Sequence, residues 1–542
     1  MHVVAHRIRL DRIVLFTTAC ACALSPRHTV AQSTEAPRVV QGGSVVSTVQ
    51  IQRENVFDKS ENSSWLARTM NKLHIVTREY VVKRELLVQE AQPYDSATAA
   101  ETERNLRKLG IFRDVKIDSA TTANGLTAHV TTQDSWTTQL YTSFKSGGNE
   151  ITWGIGLTEK NFLGSQIKAS VRYISDPDRS TTQFGVAIPR VWRNRLNLSA
   201  QYNELSDGSN ARFTVAAPFT SQSTPRSLTL DAYYNDGDVL RFFEGESEAS
   251  DTVRHLLSKL KTNAGWAERG SPEGYVRLVS TLQFRREDFS QGTIAKEDRS
   301  FFGEVEVGVD ASKSTFAVIH GYRALGGRED VDLSRTIHLG VWVAPSAWGY
   351  ERTGFGPSVT VNLGKEINKG FVLGQIRGSS LFTRTGLDSG SVVGSATLAL
   401  QPAPKHSVVL NASGGMQKNP YPGEEFDLGL TFGPRGFPSH AFTGDRAFFT
   451  SAEYRWVAAD NLFGLVGVGV AAFGDYGGAW YTGSPTRTGT DVGVGIRLGS
   501  TRSASGKAAT RIDLARRFAN DVLGNAWVVA VGAGFPFDRG GK

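Results

Sequence analysis

Most of the chain, after its first 134 residues, consists of segments of about ten residues in which apolar and polar side chains alternate. In one such segment Val305, Val307 and Val309 lie on one face, opposite Glu304 and Glu306. An alternation with period 2 is typical of a strand and excludes a helix. A soluble sandwich would bury the apolar face, whereas a membrane barrel turns it to lipid and leaves the charged face in a wet lumen. The pattern therefore predicts a mainly β chain.

The beginning of the chain indicates export. Three arginines precede an apolar run, Ile13–Leu24, and Thr29–Ala31 offers a small-residue cleavage site. The run is too short to span a membrane, which needs about 20 residues. We expect residues 1–31 to be a secretory signal and residues 32–44 a polar linker. With this signal, a barrel in the bacterial outer membrane is favoured over a sandwich.

Composition excludes several classes of function. Both cysteines, Cys20 and Cys22, lie in the predicted leader, so the exported part has no disulfide and no thiolate metal site. The net charge is +7, but the leader carries four Arg and one Asp, so the remainder is nearly balanced. Without a Lys/Arg cluster we expect no nucleic-acid partner. We expect no cofactor and no bound metal.

Residues 45–134 have a mixed pattern that predicts one small α+β domain. The predicted elements are a strand at Val45–Ile51, helices at Thr77–Leu87 and from Asp95 to Leu109, and strands at Phe112–Ile117 and Leu126–Thr132. Three stretches, Arg84–Leu87, Tyr94–Asp95 and Asn105–Val115, resemble a POTRA domain. The alternative is a generic α+β periplasmic domain.

We hypothesise that unfolded clients bind along a strand edge of this POTRA-like domain. We place this client-binding edge on the short strand formed by Phe112, Arg113, Asp114, Val115, Lys116 and Ile117. The mode of binding would be β-augmentation, in which an extended client strand pairs with exposed backbone groups.

A Gly-rich loop carries the second resemblance. An Arg-Gly-Phe tripeptide alone is a weak signal. Here it occurs within Phe432–Phe437, before Ser451–Arg455 and Phe473–Gly477. That order resembles the signature loop of the Omp85 superfamily of outer-membrane barrels, which insert or translocate other proteins. Leu157–Gly164 also resembles the early hairpin signature of that barrel, and Asp491–Arg497 and Arg511–Ala515 resemble its late strands. The implied fold is an N-terminal POTRA-like domain at residues 45–134, followed by a transmembrane antiparallel β-barrel at residues 135–542.

The resemblance assigns roles to individual residues. Arg435 would be a loop-tip cation inside the barrel, Asp475 its acidic partner, and Phe437 would pack beneath it. A guanidinium withdrawn from water needs a carboxylate, which it can engage bidentately. Gly436 would allow a sharp turn. Glu453 and Arg455 would face the lumen, as part of a polar network or as ordinary barrel polarity. The alternative is that Arg435 is a solvated loop residue.

Strand number and barrel closure are less constrained by the sequence. The resemblance implies 16 strands, whereas the alternating segments number about 20, with the surplus between residues 250 and 345. Either hairpins project beyond the membrane or the barrel is larger. The first strand, near Trp136–Phe144, must pair with the last, near Asn525–Phe535. Gly532 and Gly534 would weaken this seam, or else only relieve crowding at a closed one.

Catalysis has no support in the sequence. There is no Gly-x-Ser-x-Gly, His-Glu-x-x-His or P-loop motif, and the seven histidines after the leader are scattered. The resemblance to the Omp85 superfamily implies a factor that assembles or translocates outer-membrane or secreted proteins without ATP. Its expected partners are the lipid bilayer, unfolded clients, and periplasmic proteins or lipoproteins. The alternatives are a passive porin or transporter and a two-partner secretion translocator.

Overall fold

The computed structural model describes most of the chain from residue 45 onward. The described ranges are 45–57, 65–122, 125–148, 150–191, 196–219, 224–243, 245–246, 248–271, 273–290, 300–323, 325, 328–462, 466–500, 509–519 and 523–537. The predicted leader and linker therefore lie outside the described residues.

The N-terminal part folds as an α+β unit. Its elements are β1 (Val46–Glu54), α1 (Trp65–Leu73), α2 (Glu79–Lys83), α3 (Ser96–Lys108), β2 (Phe112–Thr122) and β3 (Gly125–Asp134). The sheet order is β1-β3-β2, with β1 parallel and β2 antiparallel to β3. Val81, Val82, Leu106 and Val130 are buried between helices and sheet. Among the described residues, no helix has the length and apolarity that a membrane span requires.

The helices differ in part from those predicted. Asp95 caps α3 through the backbone N–H of Thr98 (3.0 Å), as the sequence indicates. The helix predicted over Thr77–Leu87 is reduced to the five residues of α2. The reason is local, because Thr77 instead donates to a buried carboxylate and Arg78 is extended (ψ 143°). Helix α1 has no counterpart among the predicted elements.

The rest of the described chain is a closed antiparallel barrel with 20 strands. In chain order the elements are β4 (Thr138–Gly147), β5 (Glu150–Phe162), β6 (Ile167–Ser175), β7 (Ser180–Val191), β8 (Leu196–Leu205), β9 (Gly208–Ala217), β10 (Arg226–Arg241), β11 (Asp251–Ser271), β12 (Gly274–Ser290), β13 (Ser300–Lys313), β14 (Phe316–His320), β15 (Arg328–Asp332), β16 (Arg335–Ala344), β17 (Gly354–Ile367), β18 (Gly370–Thr383), β19 (Gly386–Leu400), β20 (His406–Lys418), β21 (Phe426–Leu428), β22 (Phe442–Gly444), β23 (Arg446–Leu462), β24 (Val466–Trp480), β25 (Gly489–Ser500), β26 (Thr510–Phe518) and β27 (Ala526–Ala533).

The outer face of this barrel is apolar. Val307 and Val309 are 52% and 43% exposed on the outside, while Glu306 points inward and accepts a hydrogen bond from Ser358 of β17, two strands along the barrel. The same division holds on β26, where Ile512 and Leu514 are exposed outside. Continuous rows of exposed aliphatic and aromatic side chains are unfavourable in water and match the lipid-facing band of a membrane barrel.

The strand number of 16 implied by the family resemblance is wrong for this chain, since the barrel has 20 strands. Two further hairpins, β14–β15 and β21–β22, form separate two-stranded sheets. The segment between residues 250 and 345 therefore contains both a part of the larger barrel and an extra hairpin. Alternation with period 2 does not distinguish these cases, because every strand with one buried face shows it.

Candidate functional site

The loop between β20 and β23 folds back into the lumen and carries the Arg-Gly-Phe motif. Its hairpin β21–β22 packs with Phe437 and Phe449 in a buried apolar cluster. Gly433 adopts the left-handed conformation (φ +138°), so the sharp turn lies there and not at Gly436. The loop tip thereby reaches the lumenal faces of strands β23 to β26.

Arg435 is enclosed at the loop tip and contacts Asp475. The Arg435 Nε donates to Asp475 Oδ2 (2.7 Å) and Nη2 donates to Oδ1 (3.1 Å), which is a bidentate ion pair. Both side chains have 0% of their surface exposed. The Arg435 guanidinium also lies over the ring of Phe473, 3.7 Å from its centroid. Arg435 is therefore not a solvated loop residue in this structure.

A second carboxylate, Glu453, joins the loop to the barrel wall. It receives the Arg435 Nη1 at 2.8 Å and the Arg497 Nη2 at 2.9 Å, and it pairs with Arg455 through that residue's Nε. Asp513 is shared in the same way, between Arg497 and Arg511. With Asp475 and Asp491, four carboxylates face four arginines in a buried network.

Gly436 and Phe437 make the close contacts of the loop. The Gly436 N–H donates to Asp491 Oδ2 (2.9 Å), and a Cβ at Gly436 would lie 3.1 Å from the Asp491 Cβ. Phe437 is completely buried, and a Cβ at Gly489 would lie 2.2 Å from its ring. The loop can pack this closely against the barrel wall because neither glycine has a side chain.

Sequence reasoning missed Asp491, Arg497, Arg511 and Asp513 as members of this network. The alternation of these strands does predict that the four side chains face the lumen, because the apolar residues between them face outward. What the alternation does not give is depth along the lumen. Strand register decides depth: Asp475 is paired with Asp491, and Asp491 with Arg517.

Among the described residues, the first and last barrel strands have very little pairing at their seam. Strands β26 and β27 pair over the whole of β27, from Arg517–Ala526 to Thr510–Ala533. Strands β27 and β4 share one described pair, Val531 with Ser146. Continuing that register, the partners of Thr138–Ser143 would be residues from 534 onward. The chain leaves the sheet there, because Gly534 is left-handed (φ +70°) and Phe535 is buried in the lumen.

The predicted client-binding strand lies at an edge of the N-terminal sheet. Strand β2 is longer than predicted, and among the described residues it pairs only with β3. Phe112, Val115 and Ile117 point into the core, whereas Arg113, Asp114 and Lys116 are exposed. The edge is distant from the Arg435 network in the chain, but it is joined to the seam, because β3 leads directly into β4.

This joint is fixed by buried polar contacts. Asp134 ends β3 and accepts from the Thr77 N–H (2.7 Å), the Thr77 Oγ1 (2.9 Å) and a His74 ring nitrogen. Asn161, in the segment that resembles the early barrel hairpin, donates to Thr77 Oγ1 (2.7 Å). The Arg78 N–H donates to the Gly164 carbonyl (2.8 Å). The N-terminal unit is thus attached beside the first barrel strand.

Comparison with known proteins gives structural likenesses only. No protein-family model matches the sequence, and no curated protein matches it. The structure is similar to BamA from Haemophilus ducreyi lacking POTRA domains 1–3 (TM-score 0.47, 11% identity, 91% of this chain and 84% of that chain). It is also similar to CdiB from Acinetobacter baumannii (0.42, 12%, 91% and 74%) and CdiB from Escherichia coli (0.39, 11%, 94% and 93%). BamA and CdiB are barrels of the Omp85 type that the sequence motifs resemble. At these scores the likenesses carry no argument about function, which rests on the geometry.

Proposed function

We propose that this protein is an Omp85-type factor of the bacterial outer membrane, which inserts or translocates other proteins without ATP and without catalysing a covalent reaction. In this proposal residues 45–134 act as a POTRA-like domain in the periplasm. The clients are unfolded barrel proteins or secreted proteins, which pair first with the edge of β2 and then with the seam.

The single observation that carries this proposal is the seam. Six residues of β4, Thr138–Ser143, have a described partner strand on one side only. In the hydrocarbon layer each unpaired backbone group costs several kcal/mol, because no water replaces the missing partner. An incoming client strand would satisfy these groups, so the seam favours β-augmentation.

The N-terminal edge supports the same function by its position. A client strand added to β2 extends a sheet whose central strand, β3, continues into β4. The contacts of Asp134 and Asn161 with Thr77 hold this geometry. A client held at the edge is therefore kept near the unpaired part of the barrel, which raises its effective concentration there.

A disulfide across the seam tests the proposal. Ser146→Cys with Val531→Cys joins the two paired positions, in a background with Cys20 and Cys22 replaced by alanine. Cells whose only copy is this variant should lose outer-membrane or exported proteins, as measured by quantitative proteomics, and should regain them with a membrane-permeant reductant. The matched control, Ile512→Cys with Val531→Cys, locks a ladder that is already complete. It should leave the proteome unchanged.

The proteome also separates the branches of the proposal. Loss of several unrelated barrels indicates an insertase, and loss of one exported protein indicates a two-partner secretion translocator. If the seam disulfide forms and the proteome does not change, the proposal is wrong.

The rival function is that of a passive porin or transporter. It is favoured by a lumenal cavity of about 610 Å³. This function predicts steady open conductance that Arg435→Ala leaves unaltered, and it gives the unpaired part of the seam no role. A structural anchor predicts a change in neither proteome nor conductance.

A further inference from the structure

The hairpin β14–β15, which we call the inner hairpin, is the element that neither the family resemblance nor the proposed function uses. It leaves the barrel between β13 and β16. This is the same end of the barrel as the β5–β6 turn, where the N-terminal unit is attached, because alternate turns of an antiparallel barrel share one end. The inner hairpin therefore starts at the periplasmic mouth.

The tip of the inner hairpin docks on the far side of that mouth. Leu325 is 5% exposed and packs with Val457 and Ala509. Val457 belongs to β23 and Ala509 precedes β26, and these strands are six and nine places along the barrel from β13. The Ala509 N–H donates to the Arg323 carbonyl (2.9 Å), and the Arg455 Nη1 donates to the Tyr322 carbonyl (3.0 Å). An apolar cluster and hydrogen bonds to the backbone of the tip therefore hold it at this position.

Tyr322 connects the inner hairpin to the end of the chain. Its ring meets Phe371 on the barrel wall at a centroid distance of 4.9 Å and Phe535 at 5.4 Å. Phe535 in turn stacks on Phe537 and lies under the Arg455 guanidinium (4.0 Å). The residues that follow the last strand are therefore packed between the inner hairpin and the buried ionic network.

Two cavities border the inner hairpin. The larger, of about 610 Å³, is lined by the Arg-Gly-Phe loop and by polar residues of the wall such as Ser395. The smaller, of about 190 Å³, is lined by Lys369 and Gln401 at the periplasmic end. Tyr322 lines both cavities, so the hairpin forms part of the partition between them.

The inner hairpin is suited to reversible docking. Each strand has five residues, and an isolated two-stranded hairpin is only marginally stable in water. Its position in the barrel is set by side-chain contacts and not by a ladder with the wall: Tyr322, Arg323 and Leu325 hold the tip, and Ala317 and Val331 pack against the wall beside Phe371. Losing these contacts would release the hairpin without breaking any strand pairing of the barrel.

We propose that the inner hairpin is a displaceable plug, which closes the lumen towards the periplasm and opens when its tip leaves the cluster of Leu325, Val457 and Ala509. The inference requires that the barrel spans a membrane, and it does not depend on the client role. An experiment that contradicts the plug therefore leaves the proposed client role untouched, and the reverse also holds.

The test measures access to the large cavity from the periplasmic side. Ser395→Cys, in the Cys20→Ala, Cys22→Ala background, places one thiol in the cavity. Purified protein in lipid vesicles is treated with a polyethylene-glycol maleimide, which shifts the band on a gel. Leu325→Asp, which charges the buried tip, should raise the labelling rate several-fold. The matched control is Phe316→Asp, which places the same charge on the same hairpin at a 65% exposed position. Equal rates in both variants and the parent would overturn the plug.

A disulfide gives a second test that does not depend on Leu325→Asp folding. A Cβ built on Gly499 lies 3.2 Å from the Leu325 Cβ, close to the separation of about 3.8 Å in disulfides. Leu325→Cys with Gly499→Cys should abolish open-state excursions in single-channel recordings, and reductant should restore them. Identical traces before and after reduction would show that the hairpin does not move.

Discussion

Arg435 offers the most quantitative test of the buried network. Its guanidinium contacts Asp475 at 2.7 and 3.1 Å and Glu453 at 2.8 Å, with no exposed surface. Removing one partner of a buried ion pair costs about 3–5 kcal/mol, because the remaining charge is left uncompensated. Arg435→Ala should therefore shift the equilibrium between docked and released loop by about a hundredfold to several thousandfold towards release.

The pairing of Arg435 with Asp475 makes this prediction sharper. Arg435→Ala leaves the Asp475 carboxylate buried without its bidentate partner, whereas Arg435→Ala with Asp475→Ala removes both members of the pair. We therefore expect the double variant to recover part of the loss, with a coupling energy of about 0.5–3 kcal/mol. If apolar packing alone held the loop, adding Asp475→Ala would not reduce the loop release caused by Arg435→Ala.

Limited proteolysis with chymotrypsin measures loop release, because the loop contains Phe432, Phe437 and Phe442. Protein in lipid vesicles is digested, and urea unfolding followed by tryptophan fluorescence shows whether the barrel itself remains folded. The control is Arg377→Ala, which removes an exposed lumenal arginine and should change cleavage little. If Arg435→Ala is cleaved as slowly as this control, or if the double variant is cleaved as fast as the single one, the electrostatic account is wrong.

Three further predictions concern other parts of the chain. Burial alone would lower the pKa of His440, but Asp178 and Asp427 outweigh it through hydrogen bonds and charge and raise the pKa to about 10. A raised pKa adds stability that is complete below about 6.5 and is lost as pH rises towards 10, so proteolysis of the loop should accelerate over that window and His440→Gln should remove the difference. Gly489→Val should displace the Phe437 ring and destabilise the loop, whereas Gly474→Ala on the neighbouring strand, whose nearest contact is 3.7 Å away, should be tolerated; urea midpoints compare the two. Proline at alternate positions of β2, beginning with Lys116→Pro, should abolish photo-crosslinking of clients, and retained crosslinking together with a folded domain would contradict binding at this edge.

Much of the barrel could be predicted from the sequence, because the strands are half-buried and show period 2. Val307 and Glu306 fall on the outer and inner faces that their alternation indicates. The strand number could not be predicted in this way. The inner hairpin also buries one face, with Ala317 and Val331 in a cluster with Phe371, so it carries the same signal as a membrane strand.

The candidate site was predictable only where a motif marked it. Arg435 and Asp475 were found because the loop resembles a known signature, and the structure brings them into contact. Arg497 and Asp513 belong to the same network, yet a lumenal charge on a strand is ordinary in a barrel. That Arg497 meets Glu453 and Asp513 is seen only in the structure, because it depends on strand register and on the reach of the arginine side chain.

The inward-folded elements are gathered on one side of the barrel, and this asymmetry bears on how the seam opens. The Arg435 network and the docked tip at Leu325 lie against strands β23 to β26, and Phe535, which follows β27, packs under Arg455 and in the cluster of Phe371. Ion pairs and apolar contacts join the inner face of these strands to the loop and the hairpin that fill the lumen. On the other side of the seam, β4 is held by its ladder with β5 and by the joint at Asp134 and Thr77. Opening the seam by moving β27 would break the buried contacts of Phe535, whereas moving β4 would leave the network intact.

We therefore expect β4, with the N-terminal unit attached to it, to be the side that moves. Spin labels on β4 and β27 should report this as a widening of distances from β4 to the rest of the barrel, while distances between β27 and β24 stay constant.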